Sequence, residues 1–267
     1  MAKSYQVGGY IPQAIWGSYR FSSLVPQYVI NKQGLAEADK IVIGDEIWTQ
    51  LGWSKVLEKQ YGVLSATMYF ARCGTFIGEK TSKVISKGRK LEIDKVSTFD
   101  LFSGPKAKVV THDPQYIVDG LMIGDGSAFE HTIPYLNIGE KDGDYFDSEI
   151  KQLILGKKTS THDMGWLVTT TITAEELPKL PSRSVPSRYL TSTPNQICSF
   201  LRGLFSANGS ISANRVSVKS TNLRLICQVQ IMLSSLGITS YYSVNKPRMV
   251  KWSNGDYVSK ESYDLSI

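Results

Sequence analysis

The chain has 267 residues, a net charge of +6 and an ordinary proportion of apolar residues, so a folded globular protein with a sizeable core is expected. It contains no apolar run long enough to cross a membrane, and its N-terminus lacks the compact apolar stretch of a signal peptide. Cys73, Cys198 and Cys227 are scattered along the chain. Their spacing argues against a disulfide framework or a CxxC metal site and favours a reducing, cytoplasmic environment.

The segment from residue 22 to residue 110 predicts an all-β region. Two stretches in it, KIVIGDEIWTQLGWSKV and CGTFIGEKTSKVISKGRKLEIDKV, alternate apolar and polar residues, and glycine-containing turns interrupt the alternation. No long helical periodicity occurs here. We therefore expect short strands throughout this region.

Two later segments predict similar helices. Asp113-Pro114 and Thr193-Pro194 each supply a capping side chain followed by a proline, which is tolerated in the first helical turn. QYIVDGLMIGDGS and NQICSFLRGLFSANGS follow these start signals, and aligning their ends gives an offset of 83 residues (208 − 125). A repeat at this distance indicates a duplicated αβ unit.

The two helices are predicted to pack tightly side by side. A glycine in the middle of a helix costs about 1 kcal/mol relative to alanine, and a close approach of another backbone would explain it. The residues expected at this interface are Gly120, Gly124, Gly203 and Ala207. Such packing would bring Asp125 and Asn208 together at the helix ends, where their oxygens, with water and phosphate, would suit Mg²⁺.

The segments that follow the two helices differ in pattern. After the second helix, ISANRVSVKST predicts a strand or hairpin, NLRLICQVQIMLSSLGI an amphipathic helix stopped by Gly237, and ITSYYSVNK a further strand. After the first helix, the corresponding region is interpreted as irregular and contains the acidic loop EKDGDYFDSE.

The charge distribution favours a nucleic acid as partner. No Asp or Glu occurs from Leu177 to Gly255, whereas basic residues recur along this segment. Such a segment is typical of a surface that contacts phosphates, although a solvated basic face is the alternative. The candidate DNA-binding residues are Arg183, Arg188, Arg215, Lys219, Arg224 and Lys246.

IVDGLMIGDGS and LRGLFSANGS resemble the two motifs of LAGLIDADG homing endonucleases of the intein kind. The resemblance implies an α+β fold in which two pseudo-symmetric αββαββα halves, here residues 111–245, are inserted in an all-β Hint-like splicing domain. It also implies a monomer that binds a double-stranded DNA site and holds catalytic Mg²⁺ at Asp125 and Asn208.

The flanking segments resemble a Hint domain. SSLVPQYVINKQGLAEADKIVIGDEIWTQLGWSKV looks like its start, with Ser22 at the position of the splicing nucleophile, and SYDLSI looks like one of its last strands. This implies an N-terminal extein segment in residues 1–21, a Hint-like domain in residues 22–110 and final Hint-like strands in residues 246–267. A C-terminal intein fragment carrying His-Asn would then be a partner.

The sequence departs from both families at specific positions. Asn208 replaces the second acid, and Arg183 stands where LAGLIDADG proteins often have a lysine. Glu79 and Ser82 occupy the Thr and His positions of the Hint pattern Thr-x-x-His. We therefore expect a site-specific, metal-dependent endonuclease, and keep two alternatives: a cleavage-deficient DNA-binding protein and a split-intein fragment that takes part in protein splicing.

Overall fold

The computed structural model describes residues 28–49, 52–58, 67–71, 74–78, 83–87, 89–95, 104–129, 133–137, 146, 148–157, 165–251 and 255–267. These residues form a mixture of helices and antiparallel sheets, which confirms the expected α+β class. Ser22, the segment 1–21, Glu79 and Ser82 lie outside the described residues.

The N-terminal part is rich in strands, as the alternating pattern predicts. Its strands are β1 (Tyr28–Asn31), β2 (Gly34–Glu37), β3 (Glu46–Thr49), β4 (Gly52–Lys55), β5 (Thr67–Ala71), β6 (Gly74–Gly78), β7 (Lys83–Ser86) and β8 (Arg89–Glu92). β1–β4 form one sheet in the order β2-β1-β3-β4, while β5 pairs with β6 and β7 with β8. Tyr28, Ile30 and Leu35 are buried and join the main hydrophobic core.

The next unit begins with a capped helix. Its elements are α1 (Pro114–Asp125), β9 (Gly126–Phe129), β10 (Ile133–Asn137), α2 (Ser148–Lys151), β11 (Ile154–Lys157) and β12 (Gly165–Val168). Asp113 Oδ1 accepts hydrogen bonds from the backbone N–H of Gln115 and Tyr116, which confirms the predicted helix start. The interpretation of the segment after α1 as irregular is wrong, because its short strands form a sheet in the order β9-β10-β12-β11.

A second unit follows a connecting segment. It repeats the order of elements of the first unit, with a further pair of short strands before its last strand. The connection contains α3 (Ser187–Leu190); the unit comprises α4 (Pro194–Asn208), β13 (Gly209–Ser212), β14 (Arg215–Ser220), α5 (Leu223–Ser235), β15 (Tyr241–Asn245), β16 (Met249–Val250), β17 (Tyr257–Val258) and β18 (Ser262–Ser266). Thr193 and Gln196 form the capping box that starts α4. The predicted helix after the second motif, its stop at Gly237 with φ +79°, and the strand that follows are all confirmed.

The second sheet corrects the assignment of the last residues. Its order is β13-β14-β18-β15, equivalent to β9-β10-β12-β11 in the first unit. β18 therefore lies between β14 and β15 as an interior strand of this sheet, whereas residues 246–267 were expected to supply final Hint-like strands. A strand with buried Leu265 needs a partner on each edge, and the duplicated unit provides both.

One hydrophobic core connects these parts. Buried residues of α1, α4, α5 and the two four-stranded sheets of the duplicated units contribute to it, as do β1 and β2. Cys198, which is half-buried, and Cys227, which is buried, form no disulfide with another described residue. No helix among the described residues is long and apolar enough to span a membrane.

Candidate active site and nucleic-acid interface

The helices α1 and α4 approach each other through reciprocal glycines. A Cβ atom built on Gly120 would lie 2.0 Å from the carbonyl oxygen of Phe200, and one built on Gly203 would lie 1.9 Å from that of Ile117. Both separations are far shorter than any real contact, so only glycine allows the two backbones to come this close. The two contacts are related by the same offset of 83 residues (203 − 120 and 200 − 117). The helix pair is therefore pseudo-symmetric.

The close packing continues to the C-terminal ends of the helices. A Cβ on Gly124 would lie 2.3 Å from Cβ of Ala207 and 3.3 Å from the side-chain nitrogen of Asn208. Asp125 follows Gly124 directly, and each helix then runs into the first strand of its own sheet. The structure thus brings the ends that carry Asp125 and Asn208 together, at the junction between the two sheets.

An open pocket of about 300 Å³ lies beside this junction. Asp125 lines it from α1, Ser206 and Arg202 from α4, and Asn137 from β10. The Asn137 side chain also donates to the backbone carbonyl of Asp125 at 3.3 Å, which ties β10 to the end of α1. The carboxylate therefore lies where the helix pair opens toward solvent.

Arg183, which was predicted to contact DNA, lies buried beneath the end of α1. The residue is only 4% exposed, and its guanidinium donates to the carbonyl oxygens of Ile123, Gly124 and Pro178 at 3.1–3.4 Å. Burial lowers the pKa of Arg183, and the nearby Asp125 carboxylate opposes this effect. A guanidinium remains charged in proteins, so it stabilises both the carbonyl end of α1 and the carboxylate beside it.

The donors at the junction suit at most a lightly coordinated divalent cation. Asp125 offers a carboxylate and Asn208 an amide oxygen, and Mg²⁺ typically combines one or two such ligands with water and phosphate. The described residues contain no group of three or more His, Cys, Asp or Glu that would form an all-protein site. A cation here would therefore depend on DNA phosphates for part of its coordination.

A buried carboxylate that the sequence analysis missed anchors the connection between the two units. Asp119, 1% exposed, accepts hydrogen bonds from five donors at 2.6–3.1 Å. The donors are Gln115 Nε2, Thr170 Oγ1, the Thr171 N–H and Oγ1, and the Tyr189 hydroxyl. An acid inside an apolar helix was the available signal, because a carboxylate is buried only where donors surround it.

Arg188, which was predicted to contact DNA, belongs to the same anchor and has several protein partners. Both of its terminal nitrogens contact the carboxylate of Glu176, one at 2.8 Å, and one also donates to the carbonyl oxygen of Thr171. This ion pair lowers the pKa of Glu176. The guanidinium also lies 4.7 Å from the centre of the Tyr189 ring.

Arg215 and Lys219 are placed on the open face of the second sheet. Val218 is buried against the core, so alternate residues of β14 point to the other face, where both cations are exposed. Ser210 and Ser217 share this face, their hydroxyls 2.9 Å apart, and Asn245 donates to Asp264 at 2.8 Å. Lys246 is exposed just after edge strand β15. This polar face has hydrogen-bonding groups suited to base edges and cations suited to phosphates.

Arg224, by contrast, lies away from this face. It is half-buried in the first turn of α5, and neither its buried Nε atom nor the buried hydroxyl of Tyr28 has a hydrogen-bond partner among the described residues. Burial lowers the pKa of Arg224 and raises that of Tyr28 to about 12. Arg224 therefore lies beside Tyr28 of the N-terminal sheet, and its predicted DNA contact stays a prediction.

Comparisons with known proteins agree with the motif. A family model described as a LAGLIDADG-like domain matches residues 195–263, from α4 into β18. This part of the chain is LAGLIDADG-like, and the match extends past residue 245, where the sequence analysis ended the nuclease domain. No curated protein sequence matches the chain.

Crystal structures of the homing endonuclease I-DmoI are among the similar solved structures. A variant in complex with its target DNA in the presence of Mn is 15% identical, with 58% of this chain and 86% of that chain covered and a TM-score of 0.35. Mesophilic variants of I-DmoI are 14% identical, with 58% of this chain and 83% of that chain covered and a TM-score of 0.36. The complex of I-DmoI with DNA and Mn is 16% identical, with 58% of this chain and 88% of that chain covered and a TM-score of 0.35. TM-scores of this size are too low to define a common fold.

Proposed function

We propose that the protein is a monomeric DNA endonuclease that hydrolyses a phosphodiester of a double-stranded target with the help of a divalent cation. The observation that carries this proposal is the reciprocal glycine packing of α1 and α4. It brings Asp125 and Asn208 together between two open sheet faces, so a duplex lying across both faces would present its backbone to the junction. The LAGLIDADG-like match of residues 195–263 supports the same assignment.

Different side chains have different roles in such a reaction. Sheet residues hold the duplex, with Arg215 and Lys219 contacting phosphates and the neighbouring hydroxyl and amide groups reaching base edges. Asp125 and Asn208 would hold the cation, Mg²⁺ in our proposal, which activates water and stabilises the leaving oxygen. Arg183 positions Asp125 from below, because it fixes the carbonyl end of α1.

The two side chains at the ends of α1 and α4, Asp125 and Asn208, differ in charge. Asp125 brings a full negative charge, whereas Asn208 is neutral and a weaker ligand, and the Arg183 cation further reduces the attraction for a metal ion. We therefore propose that cleavage is biased toward one strand, so that nicked DNA is the main product. If the weaker ligand at Asn208 abolishes cleavage altogether, the protein binds DNA without cutting it, which is the alternative function.

The test begins with DNA binding. Duplexes retained by the full chain from a randomised library identify a target, which is then incubated with the protein and Mg²⁺ or Mn²⁺, with and without EDTA. We expect a preferred duplex and a cation-dependent nick at one position. Failure to retain any duplex above the level of a random sequence would contradict DNA recognition, and retention without cleavage would leave only the binding function.

A role in protein splicing is supported only by the sequence resemblance around Ser22 and by the strand-rich character of the described N-terminal residues. Its second sequence support, the tail around SYDLSI, is instead accounted for by β18 in the nuclease sheet. Mixing the protein with a C-terminal fragment carrying His-Asn tests this proposal, and the absence of any ligated or cleaved product would exclude it.

A further inference from the structure

The two duplicated sheets can be compared position by position. Gly126 pairs with Leu136, and Gly209 pairs with Val218, immediately after α1 and α4 respectively. Counting from these pairs, Ile133 is equivalent to Arg215, Tyr135 to Ser217 and Asn137 to Lys219. In the next strands, Trp166 pairs with Leu136 and Leu265 with Val218, so Leu167 is equivalent to Ser266.

These equivalent residues lie on the open faces of the sheets. Leu136 and Val218 are both 2% exposed and point into the core, so their alternate neighbours point to the opposite face. Trp166 packs on the core and Val168 is buried, which directs Leu167, between them, outward. Ile133 is 59% exposed although it is a large aliphatic residue. Each position therefore faces the surface that the proposed function assigns to DNA.

The side chains at two of the equivalent positions differ sharply in polarity between the two units. The second unit has Arg215 and Ser266 where the first has the aliphatic residues Ile133 and Leu167, whereas Tyr135 and Ser217 both carry a hydroxyl. Asn137 stands where the second unit has a lysine. Two faces with such different groups cannot recognise the same features of a base pair.

We infer that the first unit recognises its half of the DNA target through apolar contacts with the C5-methyl groups of thymines, whereas the second recognises its half through hydrogen bonds and phosphate contacts. The inference rests on the proposed function. The thymine methyl is the apolar group that an unmodified duplex presents in the major groove, and aliphatic side chains are its natural partners. The half-site bound by the first unit is therefore rich in A·T pairs at the contacted positions.

The face of the first sheet is assigned to DNA, and not to a protein partner, because it is the duplicated counterpart of a basic face. Arg215 and Lys219 are both exposed on the second face, and Asp264 pairs opposite Lys219, so the net charge of these three side chains is positive, as suits a polyanion. A duplex lying on that face and across the α1–α4 junction would continue onto the face that carries Ile133 and Leu167.

Deoxyuridine provides a direct test, because it retains the pairing of thymidine and lacks only the methyl group. A duplex selected from a randomised library is prepared with deoxyuridine in place of thymidine in one half, in the other half, or in neither. We expect substitution in one half to weaken binding by about fourfold for each contacted methyl. Substitution in the other half should change binding by less than about twofold.

Variants then link the sensitive half to the first sheet. Ile133→Ser and Leu167→Ser should weaken binding to the thymidine duplex and abolish the difference between thymidine and deoxyuridine, whereas Ile133→Val should retain it. The matched variant Arg215→Ser should weaken binding while leaving that difference intact. Equal affinity for all three duplexes, or a difference that survives both serine variants in folded protein, would overturn the inference while leaving DNA binding in place. Failure to select any duplex would instead remove the proposed function itself.

Discussion

Gly120 and Gly203 occupy reciprocal positions in the interface between α1 and α4. Each lies where an added Cβ would be within about 2 Å of a backbone carbonyl oxygen of the other helix, 2.0 Å at Gly120 and 1.9 Å at Gly203. The neighbouring atoms are backbone and cannot rotate away as a flexible side chain would. The position of the two helix ends, and with it the proximity of Asp125 and Asn208, depends on these two residues.

Replacing Gly203 by alanine should therefore destabilise the protein, although alanine is the better helix former. We expect the free energy of unfolding to fall by about 1–3 kcal/mol, because the helices must separate to admit the methyl group. Urea denaturation measures the change, with Ser206→Ala, at an exposed position of the same helix, as the control. A Gly203→Ala protein as stable as the control would contradict the observed packing.

Two arginines that look alike in the sequence should behave differently. Arg183→Met removes the donors to carbonyl oxygens of Ile123, Gly124 and Pro178, and should lower the free energy of unfolding by about 2 kcal/mol. Arg215→Met should leave stability unchanged and weaken DNA binding, because Arg215 is exposed. Denaturation and binding curves for both variants separate the two roles. If Arg183→Met and Arg215→Met changed stability equally and DNA binding equally, the assignment of a structural role to Arg183 and a DNA-binding role to Arg215 would be wrong.

Acidification should weaken the anchor between Glu176 and Arg188. The hydrogen-bonded guanidinium of Arg188 lowers the pKa of Glu176 in the folded state below its ordinary value of 4.5. A carboxyl with a lowered folded-state pKa contributes stability above its unfolded pKa and loses it as the pH falls through the lowered value. We expect the stability difference between wild type and Glu176→Gln to be present at neutral pH and to shrink below about pH 4.5. A constant difference across that range would contradict the role of this ion pair.

Lys219 should contact a phosphate of the proposed DNA. Each neutralised phosphate releases counterions, so Lys219→Met should reduce the slope of log affinity against log salt concentration by about one. Lys55→Met, at an exposed position in the N-terminal sheet, serves as the control and should leave the slope unchanged. A slope that is the same for wild type and both variants would place Lys219 outside the interface.

The sequence predicts the helix pair well because the signals are local. The caps Asp113 and Thr193 and the interior glycines specify where the helices begin and what they pack against, and the structure has both helices where they were expected. The strands of the first sheet were missed because this segment contains an acidic loop and lacks a regular alternation of apolar and polar residues. β11 also contains a register shift that disturbs the alternation of apolar and polar residues.

The burial of some basic residues depends on long-range contacts that the sequence does not show. A basic residue in an acid-free segment looks like a phosphate contact, but the sequence does not show that the segment containing Arg183 folds beneath the end of α1. Arg188 pairs with Glu176, an acid just before that segment, and Arg224 is half-buried beside Tyr28 of the N-terminal sheet. Lys219 and Arg215 are exposed because they alternate with Val218, a pattern that the sequence does contain.

The most direct test of the account is DNA cleavage by Asp125→Asn and Asn208→Asp, each compared with wild type and with Asp256→Asn, a change at an exposed residue outside the site. On a selected duplex with Mg²⁺, Asp125→Asn should bind but no longer cleave, whereas Asn208→Asp should increase cleavage and yield cuts in both strands. Cleavage by Asp125→Asn at the wild-type rate would contradict the assignment of the junction between α1 and α4 as the active site.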